Sequence, residues 1–151
     1  MVVGAGVAVL AALVLVVGAS VLLDGDSAQT AGLRLGGDDP NVRGVGFFEQ
    51  EDDQVAGVVA VWGLEPNTEH AVHFHGPGSE CGTTADPVAA HPDLKADEDG
   101  VAFANVDLTA EQSLLDGGFY YNVHEGPSSR VENPEIACGD LAAEDASAAA
   151  R

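Results

Sequence analysis

The stretch Glu69-His70-Ala71-Val72-His73-Phe74-His75 holds three of the chain's five histidines within seven positions. Apolar Val72 and Phe74 alternate there with His73 and His75. On a β-strand successive side chains point to opposite faces, so residues two apart share a face. The pattern therefore puts His73 and His75 together, with His70, Val72 and Phe74 turned the other way. Two imidazoles side by side are half of a metal site, because imidazole suits copper and zinc. Taken alone, the stretch reads equally as a polar strand edge with solvated histidines. The two remaining histidines weigh against that. His91 lies in a loop, as His91-Pro92-Asp93-Leu94, and His124 ends the run Phe119-Tyr120-Tyr121-Asn122-Val123. Each alone reads as readily as a surface histidine. With His73 and His75 they make four imidazoles, a donor set suited to Cu(II).

The elements that must position these residues read as strands. Leu33 to Gly36 is a short strand candidate, closed by the turn-rich Gly36-Gly37-Asp38-Asp39-Pro40. Val42 to Gln50 and Val55 to Trp62 form a hairpin across the charged turn Glu51-Asp52-Asp53. Gly44 and Gly46 mark a bulge or a close backbone approach. The histidine strand follows a connection through Pro66. Residues 76–99 read as a long loop without apolar periodicity, a feature that is usually functional in a compact domain. Val101 to Leu108 alternates as a strand. Thr109-Ala110-Glu111-Gln112 has the form of a helix capping box, which predicts one or two helical turns over Thr109 to Leu115. Gly118 to Val123 and Ile136 to Leu141 complete seven short strands, so the expected fold is all-β, an antiparallel Greek-key barrel or sandwich of about 7–8 strands.

Composition narrows the function. Lys and Arg total 5 against 25 Asp and Glu, a formal charge of -20, and Lys95 is the single lysine. Nucleic-acid binding needs a basic footprint and is excluded as a partner class. The charge fits high solubility and a salty environment, where self-repulsion is screened. Residues 2–23 are a nearly continuous apolar run with no charge, long enough to cross a bilayer as a helix. It also reads as a signal peptide, with Gly18-Ala19-Ser20 as a small-residue cleavage region. Either reading exports the rest of the chain, and this segment is the only membrane contact expected. No cysteine follows it directly, so lipid anchoring at that point is excluded. Residues 24–30 read as a polar linker, 31–141 as the folded domain and the Ala-rich 142–151 as a disordered tail. Nothing in the sequence signals an oligomeric state.

Two cysteines remain, Cys81 and Cys138. In an exported chain such a pair reads as a disulfide tying the long loop to the last strand. Free thiols or thiolate ligands are the alternatives.

At this point the residues resemble a known family, the copper/zinc superoxide dismutases. Gly37-Asp38-Asp39-Pro40-Asn41-Val42-Arg43-Gly44 with Phe48-Glu49-Gln50 resembles the family's opening hairpin, G-D-x-P-V-x-G…F-E-Q. Gly63-Leu64 is similar to its G-L turn, and His70-Ala71-Val72-His73-Phe74-His75 to its H-G-F-H-V-H. Asp97-Glu98-Asp99-Gly100-Val101-Ala102 resembles its D-x-D-G-V-A strand entry, Val123-His124-Glu125 its V-H-E, and Ala137-Cys138-Gly139 its A-C-G. The resemblance covers about Leu33 to Leu141. It implies His73, His75 and His124 as copper ligands, His70 as a structural histidine, and Cys81 as the disulfide partner of Cys138. It further implies dismutation of superoxide: one superoxide oxidised to oxygen and the next reduced to hydrogen peroxide as copper alternates between Cu(II) and Cu(I).

The departures from the family bear on mechanism. Its long loop carries a histidine bridging copper and zinc, two further zinc histidines and a zinc aspartate, whereas this loop holds one histidine, His91. His91-Pro92-Asp93-Leu94 resembles the family's H-x-G-D-L with one residue deleted, which would make Asp93 a vestige of a zinc ligand. A full zinc site is not available, so the expectation is a copper-only site completed by His91. The family's superoxide-guiding arginine lies three residues before the last cysteine, and here that position is Glu135. Arg130 is the only arginine nearby and the only candidate guide. A second resemblance is to chordin-type CHRD domains, through Phe119-Tyr120-Tyr121-Asn122-Val123-His124 and Asn133-Pro134-Glu135-Ile136 against their Y-V-N-V-H-T…P-G-E-I-R-G. The paired cysteines and the opening hairpin favour the dismutases. A non-enzymatic copper-binding or structural module at the cell surface is the alternative function.

Overall fold

A computed structural model of the protein describes residues 29–37 and 39–143. The leader at 1–23, most of the linker and most of the tail lie outside the described residues. Among the described residues ten strands run in chain order: β1 Gln29–Leu35, β2 Arg43–Glu51, β3 Gln54–Trp62, β4 Glu69–His70, β5 Val72–His75, β6 Pro87–Ala90, β7 Leu94–Lys95, β8 Val101–Thr109, β9 Tyr120–His124 and β10 Glu135–Ala143. Eight form one antiparallel sheet, β6-β5-β9-β10-β1-β2-β3-β8, nearly closed into a barrel. The short β4 and β7 pair separately. The all-β architecture expected from the strand spacing is the one observed.

One side of the sheet is a dry core. Phe48 of β2, Phe74 of β5 and Tyr121 of β9 meet at its centre, with ring centroids 5.1–6.0 Å apart and mostly edge-to-face. That arrangement suits the ring quadrupoles. Strand pairing explains the placement. Phe74 stands opposite Tyr121 and Val72 opposite Val123, so the inward residues of β5 and β9 coincide. The outward residues are then His73 opposite Asn122 and His75 opposite Tyr120. The alternation in Val72-His73-Phe74-His75 thus divides the strand between core and site.

Gly44 marks a close approach rather than a bulge. Its pairing with β1 and β3 runs through without a register shift. A Cβ added there would lie 2.7 Å from a Leu35 methyl carbon and 2.8 Å from the Ala60 carbonyl oxygen.

Two sequence expectations are corrected. The helical turns predicted over Thr109 to Leu115 do not form. Thr109 is the last residue of β8, and its hydroxyl accepts a hydrogen bond from Gln54 instead of capping a helix, at 3.0 Å. The backbone N–H of Leu114 donates to the buried Gln50 side chain at 2.8 Å, and Leu114 and Leu115 fill the core as an irregular segment. Long-range contacts here override a local capping signal. Residues 76–99 are not all loop, since β6 and β7 form within them. Strand β1 starts at Gln29 and β10 runs to Ala143.

Candidate metal centre

The outward faces of β5 and β9 bring His73, His75 and His124 together. One ring nitrogen from each lies within 4.8 Å of the others. Their hydrogen bonds set the tautomers. The Nδ1–H of His75 donates to the Ala85 carbonyl at 2.8 Å, and that of His124 donates to the Asn133 carbonyl at 2.6 Å. A carbonyl can only accept, so each proton sits on Nδ1 and each Nε2 keeps its lone pair. Anchoring the far nitrogen on a backbone carbonyl is how metal-ligating histidines are commonly oriented. His73 Nδ1 lies 3.0 Å from His124 Nε2 and donates its proton there. His75 Nε2 is buried and has no partner. An unpaired buried acceptor is unfavourable, and a bound cation would satisfy it. The three residues therefore fit a metal ion.

Burial lowers the pKa of His73, and the charges that His124 and His75 would carry lower it further; Asp93 acts in the opposite sense. The effect keeps His73 neutral, the state in which imidazole is a ligand.

The other expected site residues fall in different places. His70 is buried, with its Nδ1 2.9 Å from the His124 carbonyl oxygen and its Nε2 2.7 Å from the Thr68 hydroxyl. It fastens the end of β4 to the end of β9. His91 lies outside the three-histidine group. Both its nitrogens are engaged, Nδ1 with the Pro92 carbonyl at 2.9 Å and Nε2 with the Tyr121 hydroxyl at 2.7 Å. Its ring stacks on Tyr121 at 5.7 Å. Burial also lowers its pKa, so it is a neutral acceptor for that hydroxyl. Among the described residues the group is three histidines, His73, His75 and His124.

Asp93 accepts from the backbone N–H and the hydroxyl of Ser128, at 2.9 and 3.2 Å. It thereby clamps the segment after β6 to the loop that carries Asn133, the anchor of His124. Asp93, His91 and His73 share a cleft of about 410 Å³ with Lys95, which is paired to Glu69 at 2.8 Å. Arg130 is bound to Glu125 at 2.8 Å on the surface.

Cys81 and Cys138 form a disulfide with Cα atoms 5.5 Å apart, 57 residues apart in sequence. Such a bond points to an oxidising compartment rather than the cytosol. It ties the loop after β5 to β10, where Cys138 stands opposite Asn122. The loop also holds on through Tyr120, whose hydroxyl donates to the Thr83 carbonyl at 2.9 Å while its ring stacks flat on His75 at 4.8 Å.

Sequence reading missed Tyr120, Asn122 and Asn133. The signal for the first two was present: they precede His124 at spacings of four and two on a strand, hence on its face. Asn133 acts through its backbone carbonyl, which no residue type announces. No protein-family model matches the chain, and no curated protein matches it either.

Proposed function

We propose that the protein is an exported, copper-only, superoxide dismutase-like enzyme that converts superoxide to oxygen and hydrogen peroxide. The observation behind this reading is the unpartnered, buried Nε2 of His75 converging with nitrogens of His73 and His124. Three imidazoles and no carboxylate or thiolate in the group favour copper over harder cations. His73, His75 and His124 would hold it, and copper bound there supplies one-electron redox chemistry between Cu(II) and Cu(I). The chain's own residues prepare the site. Ala85 and Asn133 carbonyls fix the rings of His75 and His124. His73 would offer Nδ1 as a ligand in its Nε2–H tautomer, with the cation in place of the hydrogen bond to His124. The cleft beside His73 is a route for a small molecule, and the disulfide-braced loop covers the opposite side. The disulfide supports export from the cytoplasm.

A second reading, a copper-binding module without turnover, is favoured by charge. Glu135 occupies the position where the resembled family has its guiding arginine, Arg130 is held by Glu125, and the net charge of -20 repels an anion. High salt screens that repulsion. The copper-loaded chain is expected to dismutate superoxide above the rate of free copper at equal metal, and His124→Ala to fall to the free-copper rate. Tight copper binding without turnover selects the second reading. Copper binding that survives His73→Ala combined with His75→Ala sinks both.

A further inference from the structure

Asn122 is the one polar residue of the site's face that the proposed chemistry leaves unused. It stands opposite His73 and two residues before His124, so its side chain shares the face of all three histidines. It is 2% exposed. Asparagine is disfavoured within strands, where an apolar residue packs better. Its Nδ2 donates to Glu135 Oε2 at 3.0 Å, and since a carboxylate only accepts, this contact fixes the orientation of the amide. The amide oxygen Oδ1 is left buried without a partner. His75 Nε2 is in the same condition on the neighbouring strand. The two orphans ask for different things. The imidazole lone pair takes a cation, whereas an amide oxygen takes an O–H or N–H donor.

We propose, on the basis of the metal-centre reading above, that Asn122 Oδ1 accepts a hydrogen bond from a small protic ligand held at the three-histidine cluster. The ligand is water or a hydroperoxide, and Glu135 is the positioning residue that turns the amide toward it. A metal cation polarises a neighbouring O–H and makes it a stronger donor. A neutral amide oxygen orients that donor without removing its proton. Glu135 then has a role that an arginine at the same place could not fill, because a guanidinium has no acceptor for Nδ2.

The test uses the full chain, metal-free and loaded with one Cu(II), with water as the probe. Relaxation of bulk-water protons reports an exchangeable water at the metal, and the nitrogen hyperfine pattern of the EPR spectrum reports the three imidazoles. Asn122→Leu keeps the volume and removes both polar atoms, and Asn122→Val, better suited to a strand, is the second variant. In both, the metal-free Tm is expected to rise by about 3 °C as an orphaned acceptor is removed. The three-nitrogen pattern stays, while the water-relaxation enhancement falls at least about twofold. Glu135→Gln, which still offers Nδ2 an acceptor, keeps the wild-type enhancement, and Glu135→Ala lowers it. A fall in metal-free Tm in both Asn122 variants marks the residue as ordinary packing and overturns the proposal. Unchanged water relaxation with three nitrogens bound overturns it too. A wild-type chain that takes up no Cu(II) overturns the functional reading and this one together. The expected relaxation changes without dismutation sink only the enzyme.

Discussion

Strands β8 and β9 lie in the same sheet and follow different rules. Along β8, buried Ala102 and Val106 alternate with exposed Phe103 and Asp107, so one face meets the core and the other meets water. Along β9, Tyr120, Tyr121, Asn122 and Val123 are all buried. The second face of β9 is covered by the loop after β5, which the disulfide and Tyr120 hold down. Covering the shared face of β5 and β9, which carries three histidines and an asparagine, removes polar atoms from water, and two of those atoms find no partner. Unpaired buried acceptors are rare in folded proteins. Among the described residues three buried side-chain atoms lack a partner, and two of them, His75 Nε2 and Asn122 Oδ1, belong to this face, the third being Ser79 Oγ. The difference between the strands locates the site without reference to any family.

The most forceful way to break this difference is to release the cover. Replacing both cysteines, Cys81→Ser with Cys138→Ser, frees a closed loop of 57 residues. The chain-entropy model puts the loss at about 4 kcal/mol, which would appear as a large drop in the urea midpoint with a steeper slope, since the unfolded chain without the cross-link exposes more surface. The released loop takes with it the Ala85 carbonyl that orients His75, so copper affinity should fall as well. A loss below about 1 kcal/mol would mean that the loop is held mainly by Tyr120 and the other contacts.

Tyr121→Phe tests the buried polar contact on the core side of β9 and separates His91 from the three-histidine group. The variant removes one hydroxyl and leaves His91 Nε2 unpartnered. The expected cost is about 1–2 kcal/mol, with copper affinity unchanged, because His91 is not in the group. Loss of copper affinity in this variant would show that His91 takes part in coordination. The same region gives the metal-free protein a dependence on pH. Burial holds both His73 and His91 below the ordinary histidine value of 6.5. The unfolded chain then binds more protons than the folded one, so stability is complete above that value. It is lost as pH falls from there through the lowered folded values. Thermal melts of the metal-free protein from pH 8 to pH 5 check the sign, and a Tm that rose toward acid would contradict it.

How much of this could be read from the sequence depended on distance along the chain. The partition of β5 was legible because period-two alternation is local: Val72 and Phe74 had to enter the core if His73 and His75 did not. The ends of β2, β3 and β8 were legible for the same reason. The segment after Thr109 was misread because its capping signal is local while its true partner, Gln50, lies 64 residues from Leu114. His91 could not be placed on similar grounds. Its type permits coordination, and only the fold shows that Tyr121 occupies its Nε2. Asn122 went unremarked although its spacing of two from His124 put it on that residue's face; its type does not show that the face is buried.

The smallest effect is expected on the open face of β8. Phe103 stands opposite Ala60 and is 57% exposed, although its ring is among the largest apolar side chains in the sheet. Strand β8 is also an end of the sheet order, so Phe103 lies on an edge strand with water on its outer face. Phe103→Thr exchanges one strand-favouring residue for another and removes no buried contact, so the expected change in stability is within about 0.5 kcal/mol. Urea melts decide it. If the loss instead reached about 1.5 kcal/mol or more, the ring must be covered in solution. The outward face of β8 would then be a buried face like that of β9, and the contrast between the two strands would fail at its simpler end.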